Sequence, residues 1–178
     1  MPNQLSMALG SGETTLLQLT SAYAMLVNGG KLIQPSVIDR VQNRHGKTVL
    51  RHDKRPCSKC NIPAWNQARA PKIPDERPQV ADSGSAYQVV SMLEGAVKRG
   101  TGRRINSLVW PLAGKTGTTN QSKDAWFIGF SSEIVIGVYI GYDNPKTLGK
   151  NETGSKVALP IFKDFVENAL YKEDFKEF

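Results

Sequence analysis

Apolar residues recur at helical spacing in three stretches of this chain and gather into strand-length runs between them. Leu16, Leu19, Tyr23, Leu26 and Val27 follow an i, i+3, i+7 pattern, so residues 15–27 are predicted to form a helix with one buried face. Thr15 and Gln18 have capping-box spacing at its start, and Asn28-Gly29-Gly30 ends it, because glycine takes a left-handed cap without strain. Ile33, Val37 and Val41 precede the turn-forming run Asn43-Arg44-His45-Gly46, and Thr48-Val49-Leu50 follow it. This predicts a hairpin of structural role within 32–51. Residues 53–82 carry Pro56, Pro63, Pro71, Pro74 and Pro78 with few apolar positions and no sustained period, the pattern of an irregular insertion.

A second helix is expected over 84–98, where Ala86, Val89, Val90, Leu93, Ala96 and Val97 line one face. Lys98 and Arg99 suit the negative end of its dipole, and Gly100 stops it. The Lys-Thr-Gly strand at 112–119 and the strands at 125–131 and 134–142 are predicted to form an antiparallel sheet, with Ser131-Ser132-Glu133 as a tight turn. Gly129, Gly137 and Gly141 interrupt these strands and mark bulges or close helix packing. Residues 146–154 are polar and read as a loop. A final helix presents Val157, Ile161, Phe162, Phe165, Val166, Ala169 and Leu170 toward the sheet, with Pro160 in its first turn or at a kink. The charged tail from Glu173 to Phe178 is expected to fray. The predicted class is α+β, an antiparallel sheet covered by helices, in a single domain spanning 1–178 with the Pro-rich insertion at about 53–82.

Composition narrows the picture only slightly. The 178 residues are 39% hydrophobic and 22% charged, ordinary for a globular domain. Lys and Arg number 23 against 16 acids, a net charge of +7. The denser basic clusters, Lys98, Arg99, Arg103 and Arg104 and residues 51–59, are not interleaved with aromatics as a nucleic-acid groove requires. No nucleic-acid partner is expected. No run approaches the roughly 18 apolar residues of a membrane span. The N-terminus Met-Pro-Asn-Gln-Leu lacks the shape of a signal peptide, so the residues by themselves point to the cytoplasm.

The chemistry concentrates at Ala113-Gly114-Lys115-Thr116-Gly117-Thr118-Thr119, joined by the polar Asn120–Asp124 to the strand Ala125–Phe130. Gly-Lys-Thr invites a phosphate-loop reading, which fails on spacing. That loop needs a glycine where Val109 stands, and a bulky residue there cannot make the anion-cradling turn. A plain reading also exists: a surface lysine on a strand edge, where lysine blocks edge pairing. Cys57 and Cys60, as Cys-Ser-Lys-Cys, have His45 and His52 upstream. Three readings compete for them: a local disulfide, a zinc site drawing on both histidines, and a pair of ordinary thiols. A serine triad recruiting His45 or His52, or a His-Glu-x-x-His metal site, finds no support in the spacing. No metal or cofactor is expected.

Leu-Ala-Gly-Lys-Thr-Gly-Thr-Thr, then Asp-Ala-Trp-Phe-Ile-Gly-Phe, then Ile-Gly-Val-Tyr-Ile-Gly-Tyr-Asp at 136–143 closely resemble the transpeptidase domain of class A penicillin-binding proteins. Met7-Ala8-Leu9-Gly10-Ser11-Gly12-Glu13-Thr14-Thr15, Ala22-Tyr23-Ala24, Asn28-Gly29-Gly30 and Gly100-Thr101-Gly102 fit the same family. The resemblance covers nearly the whole chain and is weakest over 50–82. It implies the C-terminal part of the penicillin-binding, β-lactamase-like fold, with Lys-Thr-Gly as the substrate strand. Lys115 then supplies a positive charge beside a carboxylate, and Thr116 and Thr118 supply hydroxyls. Gly117 allows close approach of the substrate backbone, and the Thr118 N–H serves as an oxyanion donor. The ligand is a peptidoglycan stem peptide or a β-lactam that mimics it. Trp126 is expected to pack the core. The resemblance also implies work at the outer, periplasmic face of a bacterial inner membrane, an oxidising setting that favours the Cys57–Cys60 disulfide.

The family also uses Ser-x-x-Lys for the nucleophile and its base, and Ser-x-Asn as a second motif. Every serine here lacks a Lys three residues on and an Asn two residues on. The expectation is therefore a fragment that is inactive alone, whose missing N-terminal half carries the nucleophile. Two alternatives stay open: a non-enzymatic binding domain on the same half-fold, and a basic zinc- or nucleic-acid-binding module.

Overall fold

The computed structural model describes residues 5, 10, 12–57, 60, 64, 67–170 and 176–178. Much of the Met7–Thr15 motif, both central residues of Cys-Ser-Lys-Cys and Glu173 lie outside the described residues. The chain forms two compact units, one of residues 1–33 with 79–178 and one of residues 34–78.

The larger unit holds helices α1 (Leu16–Val27), α2 (Ser83–Arg99) and α3 (Leu159–Ala169) and the strands named below. The capping box forms as the sequence predicts. Thr15 Oγ1 accepts the Gln18 N–H at 3.2 Å, and Gln18 Oε1 accepts the Thr15 N–H at 3.2 Å. Gly29 and Gly30 follow the helix with φ of 67° and 80°, left-handed values that cost other residues strain. Gly30 then holds the two ends of the unit together, its carbonyl accepting the Val80 and Ala81 N–H groups at 2.9 and 3.0 Å.

The second helix starts at Asp82, whose Oδ2 accepts the Ser85 N–H at 2.8 Å. Gly100 ends it for a reason other than the expected one. Its φ is −112°, so no left-handed cap forms. A methyl at Gly100 would lie 2.8 Å from the Ala96 carbonyl oxygen, so it is the closeness of the preceding turn that requires glycine.

Three strands follow, paired antiparallel in the order β3 (Ala113–Thr118), β4 (Ala125–Phe130), β5 (Val135–Ile140). The register runs unbroken from Ala113 opposite Phe130 to Thr118 opposite Ala125, and from Ala125 opposite Ile140 to Phe130 opposite Val135. Gly129 and Gly137 are therefore not bulges. Each gives room to a helix: Gly129 faces the Phe162 ring of α3, and Gly137 faces Thr20 and Leu16 of α1.

The two sheet faces carry separate buried clusters. Phe127, Ala158, Leu159, Phe162 and Val166 pack together with Val97, Ile105 and Leu112 on one face. The Phe127 and Phe162 rings meet edge-on at 5.0 Å. Ala113, Phe130 and Val90 form the other cluster, against Tyr23 and Leu26 of α1. Each large side chain buried this way contributes about 1.5–3 kcal/mol.

The last helix departs from expectation in two ways. A π-helical turn, Gly154–Ala158, precedes it, while Pro160 sits in the first turn as expected. Its buried stripe is Leu159, Phe162 and Val166, while Ile161 and Phe165 are about half exposed. The i, i+3, i+7 stripe starting at Leu159 faces the sheet and leaves those two on its flank. The described part of the tail, residues 176–178, also differs from the expected fraying. Phe178 packs edge-on against Phe130 at 5.7 Å, and Ser132 Oγ donates to the Lys176 carbonyl at 2.7 Å.

The smaller unit contains the predicted hairpin, β1 (Arg40–Gln42) and β2 (Thr48–Arg51). Asn43 makes the turn: its Oδ1 accepts the His45 and Lys47 N–H groups at 2.9 and 3.0 Å. Val37, Val41, Val49 and Leu50 are exposed, so the expected apolar alternation does not produce a buried face. Cys57 and Cys60 are joined in a disulfide. Asp53 grips Arg55 through two hydrogen bonds of 2.9 and 2.6 Å, which hold its carboxyl well below the usual carboxylate range.

Candidate functional site

The lysine and hydroxyls of 115–118 lie on β3, which has β4 beside it and, among the described residues, no strand on its other side. Strand alternation sends Lys115 and Gly117 to one face and Thr116 and Thr118 to the other. Lys115 is exposed, and its Nζ folds over the edge to donate to the Thr116 carbonyl at 2.7 Å. It needs only a torsional change to turn that ammonium toward an arriving anion.

The hydroxyls are already engaged. Thr116 Oγ1 lies 2.8 Å from Thr101 Oγ1, in the turn after α2. Thr118 Oγ1 accepts the Gly154 N–H at 3.1 Å, from the π-helical turn ahead of α3. A hydroxyl that accepts one bond keeps its own proton to give, so Thr118 remains a donor. Gly117 lies opposite Trp126, and a methyl there would come 3.1 Å from the Trp126 Cβ. A side chain at 117 would therefore press on the neighbouring strand, whatever approaches the edge.

Trp126 is not a core residue. It is half-buried, belongs to neither apolar cluster, and its ring leans on Tyr139 at 4.5 Å. Tyr139 donates to Asp124 Oδ1 at 3.0 Å, and that bond raises the phenol's pKa. Asp124 also closes the connection between β3 and β4. Its N–H donates to Thr119 Oγ1 at 2.8 Å, and its carbonyl accepts the Thr119 N–H at 3.1 Å.

The strand, its hydroxyls and the helices around it have close relatives. A model of the penicillin-binding protein transpeptidase domain matches residues 2–167. This chain belongs to the penicillin-binding protein transpeptidase family. It is 50% identical over 170 residues to penicillin-binding protein 1A of Rickettsia conorii, covering 94% of this chain and 21% of that protein. Penicillin-binding protein 1A of Neisseria gonorrhoeae is 39% identical over 171 residues, covering 96% of this chain and 19% of the relative. The crystal structure of penicillin-binding protein 1A from Haemophilus influenzae superposes with a TM-score of 0.81 at 31% identity, over 99% of this chain and 29% of that one. The chain thus spans about a fifth of the length of the curated relatives it matches.

Within this transpeptidase chain, the residues singled out in the sequence occupy two separate places. Lys115, Thr116, Gly117 and Thr118 share one strand edge. Cys57 and Cys60 sit in the other compact unit, with His45 and His52 on the hairpin. The disulfide ties up both sulfurs, which as thiolates were the main ligands of the zinc reading. Among the described residues, no group of three or more His, Cys, Asp and Glu is placed to hold a metal ion. Also among them, no helix is long and apolar enough to cross a membrane.

Sequence reading missed Thr101, Gly154 and Ser155. Thr101 stood inside a Gly-Thr-Gly turn, and the other two stood at the end of a polar loop. Thr101 and Gly154 reach β3 from 15 and 36 positions away, and Ser155 reaches Thr101 from 54, separations that no local pattern encodes.

Proposed function

We propose that this chain supplies the substrate strand of a D-alanyl-D-alanine transpeptidase in peptidoglycan cross-linking. The observation that carries the reading is an open strand edge presenting Lys115 together with the Thr116 and Thr118 hydroxyls. In this reading the ammonium and a hydroxyl hold the terminal carboxylate of a stem peptide, or the carboxylate of a β-lactam. The Thr118 N–H faces the carbonyl oxygen that becomes an oxyanion. The nucleophilic serine comes from an upstream Ser-x-x-Lys segment. It attacks the penultimate D-alanine carbonyl and expels the terminal D-alanine, and an amine of a second stem peptide then takes the acyl group. This chain contains neither Ser-x-x-Lys nor Ser-x-Asn and is inactive without that segment. The site of action is the outer face of a bacterial inner membrane, where the Cys57–Cys60 disulfide persists.

The test is Lys115→Ala in the domain completed by its upstream part. A charge-assisted hydrogen bond contributes roughly 1.5–3 kcal/mol, so penicillin acylation is expected to slow on the order of tenfold to a hundredfold. An unchanged acylation rate would remove Lys115 from the site and, with it, the observation on which the reading stands.

A further inference from the structure

The Gly100-Thr101-Gly102 turn is built to hold one hydroxyl against the substrate strand. The N–H groups of Gly100 and Gly102 both donate to the Ala96 carbonyl, each at 3.1 Å. Gly102 is buried, and a methyl there would lie 3.2 Å from the Val97 Cα, so the turn is pressed onto the backbone of α2. The Thr101 carbonyl accepts the Ser155 hydroxyl at 2.9 Å, and the Ser155 carbonyl accepts Arg104 Nη1 at 3.3 Å. Next to Ser155, the Gly154 N–H donates to Thr118 Oγ1. The pair Gly154-Ser155 therefore clamps both sides of the hydroxyl cluster, one residue through Thr118 and the other through Thr101. Thr101 itself is exposed, so this bracing does not serve to bury its side chain.

We propose that Thr101 is a positioning residue of the carboxylate site, acting through Thr116. This rests on the substrate-strand reading above. Two hydroxyls 2.8 Å apart share one proton in their mutual bond and leave one to give elsewhere. A carboxylate only accepts, so it selects the order in which Thr101 donates to Thr116 and Thr116 donates outward. Accepting a bond from Thr101 also polarises the Thr116 O–H and makes it a stronger donor. Without Thr101 the Thr116 hydroxyl rotates freely and must be ordered by the ligand itself.

The experiment uses the completed transpeptidase and compares acylation by penicillin with acylation by its methyl ester, which lacks the carboxylate. Thr101→Val is expected to slow acylation by penicillin about three- to tenfold and to leave the ester rate unchanged. Thr101→Ser, which keeps the hydroxyl, is expected to restore the penicillin rate. Adding Thr101→Val to Thr116→Val is expected to cost nothing more, because the two act as one unit. Equal losses with acid and ester would show that Thr101 merely supports the fold and would overturn the proposal. A penicillin rate unchanged in Thr101→Val, while Lys115→Ala still slows it, would overturn this proposal alone. If Lys115→Ala and Thr116→Val are also without effect, the substrate-strand reading falls and takes the proposal with it.

Discussion

Asp82 and Lys115 are both exposed, yet one is fixed by a local bond and the other is held only provisionally. Lys115 donates to the carbonyl of its own neighbour, a contact that any carboxylate outbids with full charge. Asp82 is different. Its carboxylate accepts the Ser85 N–H at the start of α2, and this bond lowers its pKa from the ordinary 3.8. A depressed carboxylate contributes stability that is present above the unfolded-state pKa and lost as pH falls through the folded-state value. Unfolding by urea should therefore become easier below about pH 4, with part of the loss due to Asp82. Asp82→Asn keeps an acceptor at the cap but cannot titrate. The midpoint difference between the two proteins should shrink as pH is lowered from about 5 to about 2. A constant difference across that range would show that the cap does not titrate.

The glycines of the sheet decide how closely the helices approach it. A methyl at Gly129 would lie 2.6 Å from Phe162 Cζ and 2.6 Å from Phe127 Cε1, both rings being fully buried. Neither ring can turn aside without disturbing the cluster, so Gly129→Ala is expected to destabilise by about 1–3 kcal/mol. In urea unfolding, adding Phe162→Leu should recover part of that loss, although alone it creates a cavity. Full additivity of the two substitutions would show that α3 does not rest on Gly129. Elements at this scale were largely legible in the sequence. The capping box at Thr15, the strand runs and the helix spans are local patterns, and each formed close to where it was read, although α1 buries no residue of its expected face completely. What stayed hidden is non-local. Ile161 and Phe165 look as apolar as Phe162, and only the docking of α3 decides which of them faces the sheet. Likewise the Lys-Thr-Gly strand was readable as the proposed site, while Thr101 and the Gly154-Ser155 clamp became visible only once folding brought α2 and the π-helical turn to β3.

At the scale of the whole molecule, burial is concentrated in the central strand of the sheet. Five of the six residues of β4 are buried, whereas none of β5 is. None of the residues of α1, which packs on β5, is fully buried, and Leu17 is 60% exposed. The β5 side of the sheet is thus the less covered one, at the edge opposite the Lys115 strand. Acylation by penicillin requires a hydroxyl with a base within hydrogen-bond reach. The hydroxyls of Ser21, Ser36, Ser132 and Ser155 donate instead to backbone carbonyls, which take no proton. Thr116 is paired with Thr101 and Thr118 with Gly154, and Lys115 donates to a carbonyl. The proposed role of the Thr118 N–H as oxyanion donor does not change this, because without a nucleophile no oxyanion forms. The 178-residue chain alone is therefore expected to form no covalent adduct with a fluorescent penicillin, as read by denaturing electrophoresis. A label appearing only after the upstream Ser-x-x-Lys segment is added supports the division of labour proposed for the two parts. A stoichiometric label on the chain alone, blocked by a competing β-lactam, would place a working nucleophile among its own serines or threonines and overturn that division.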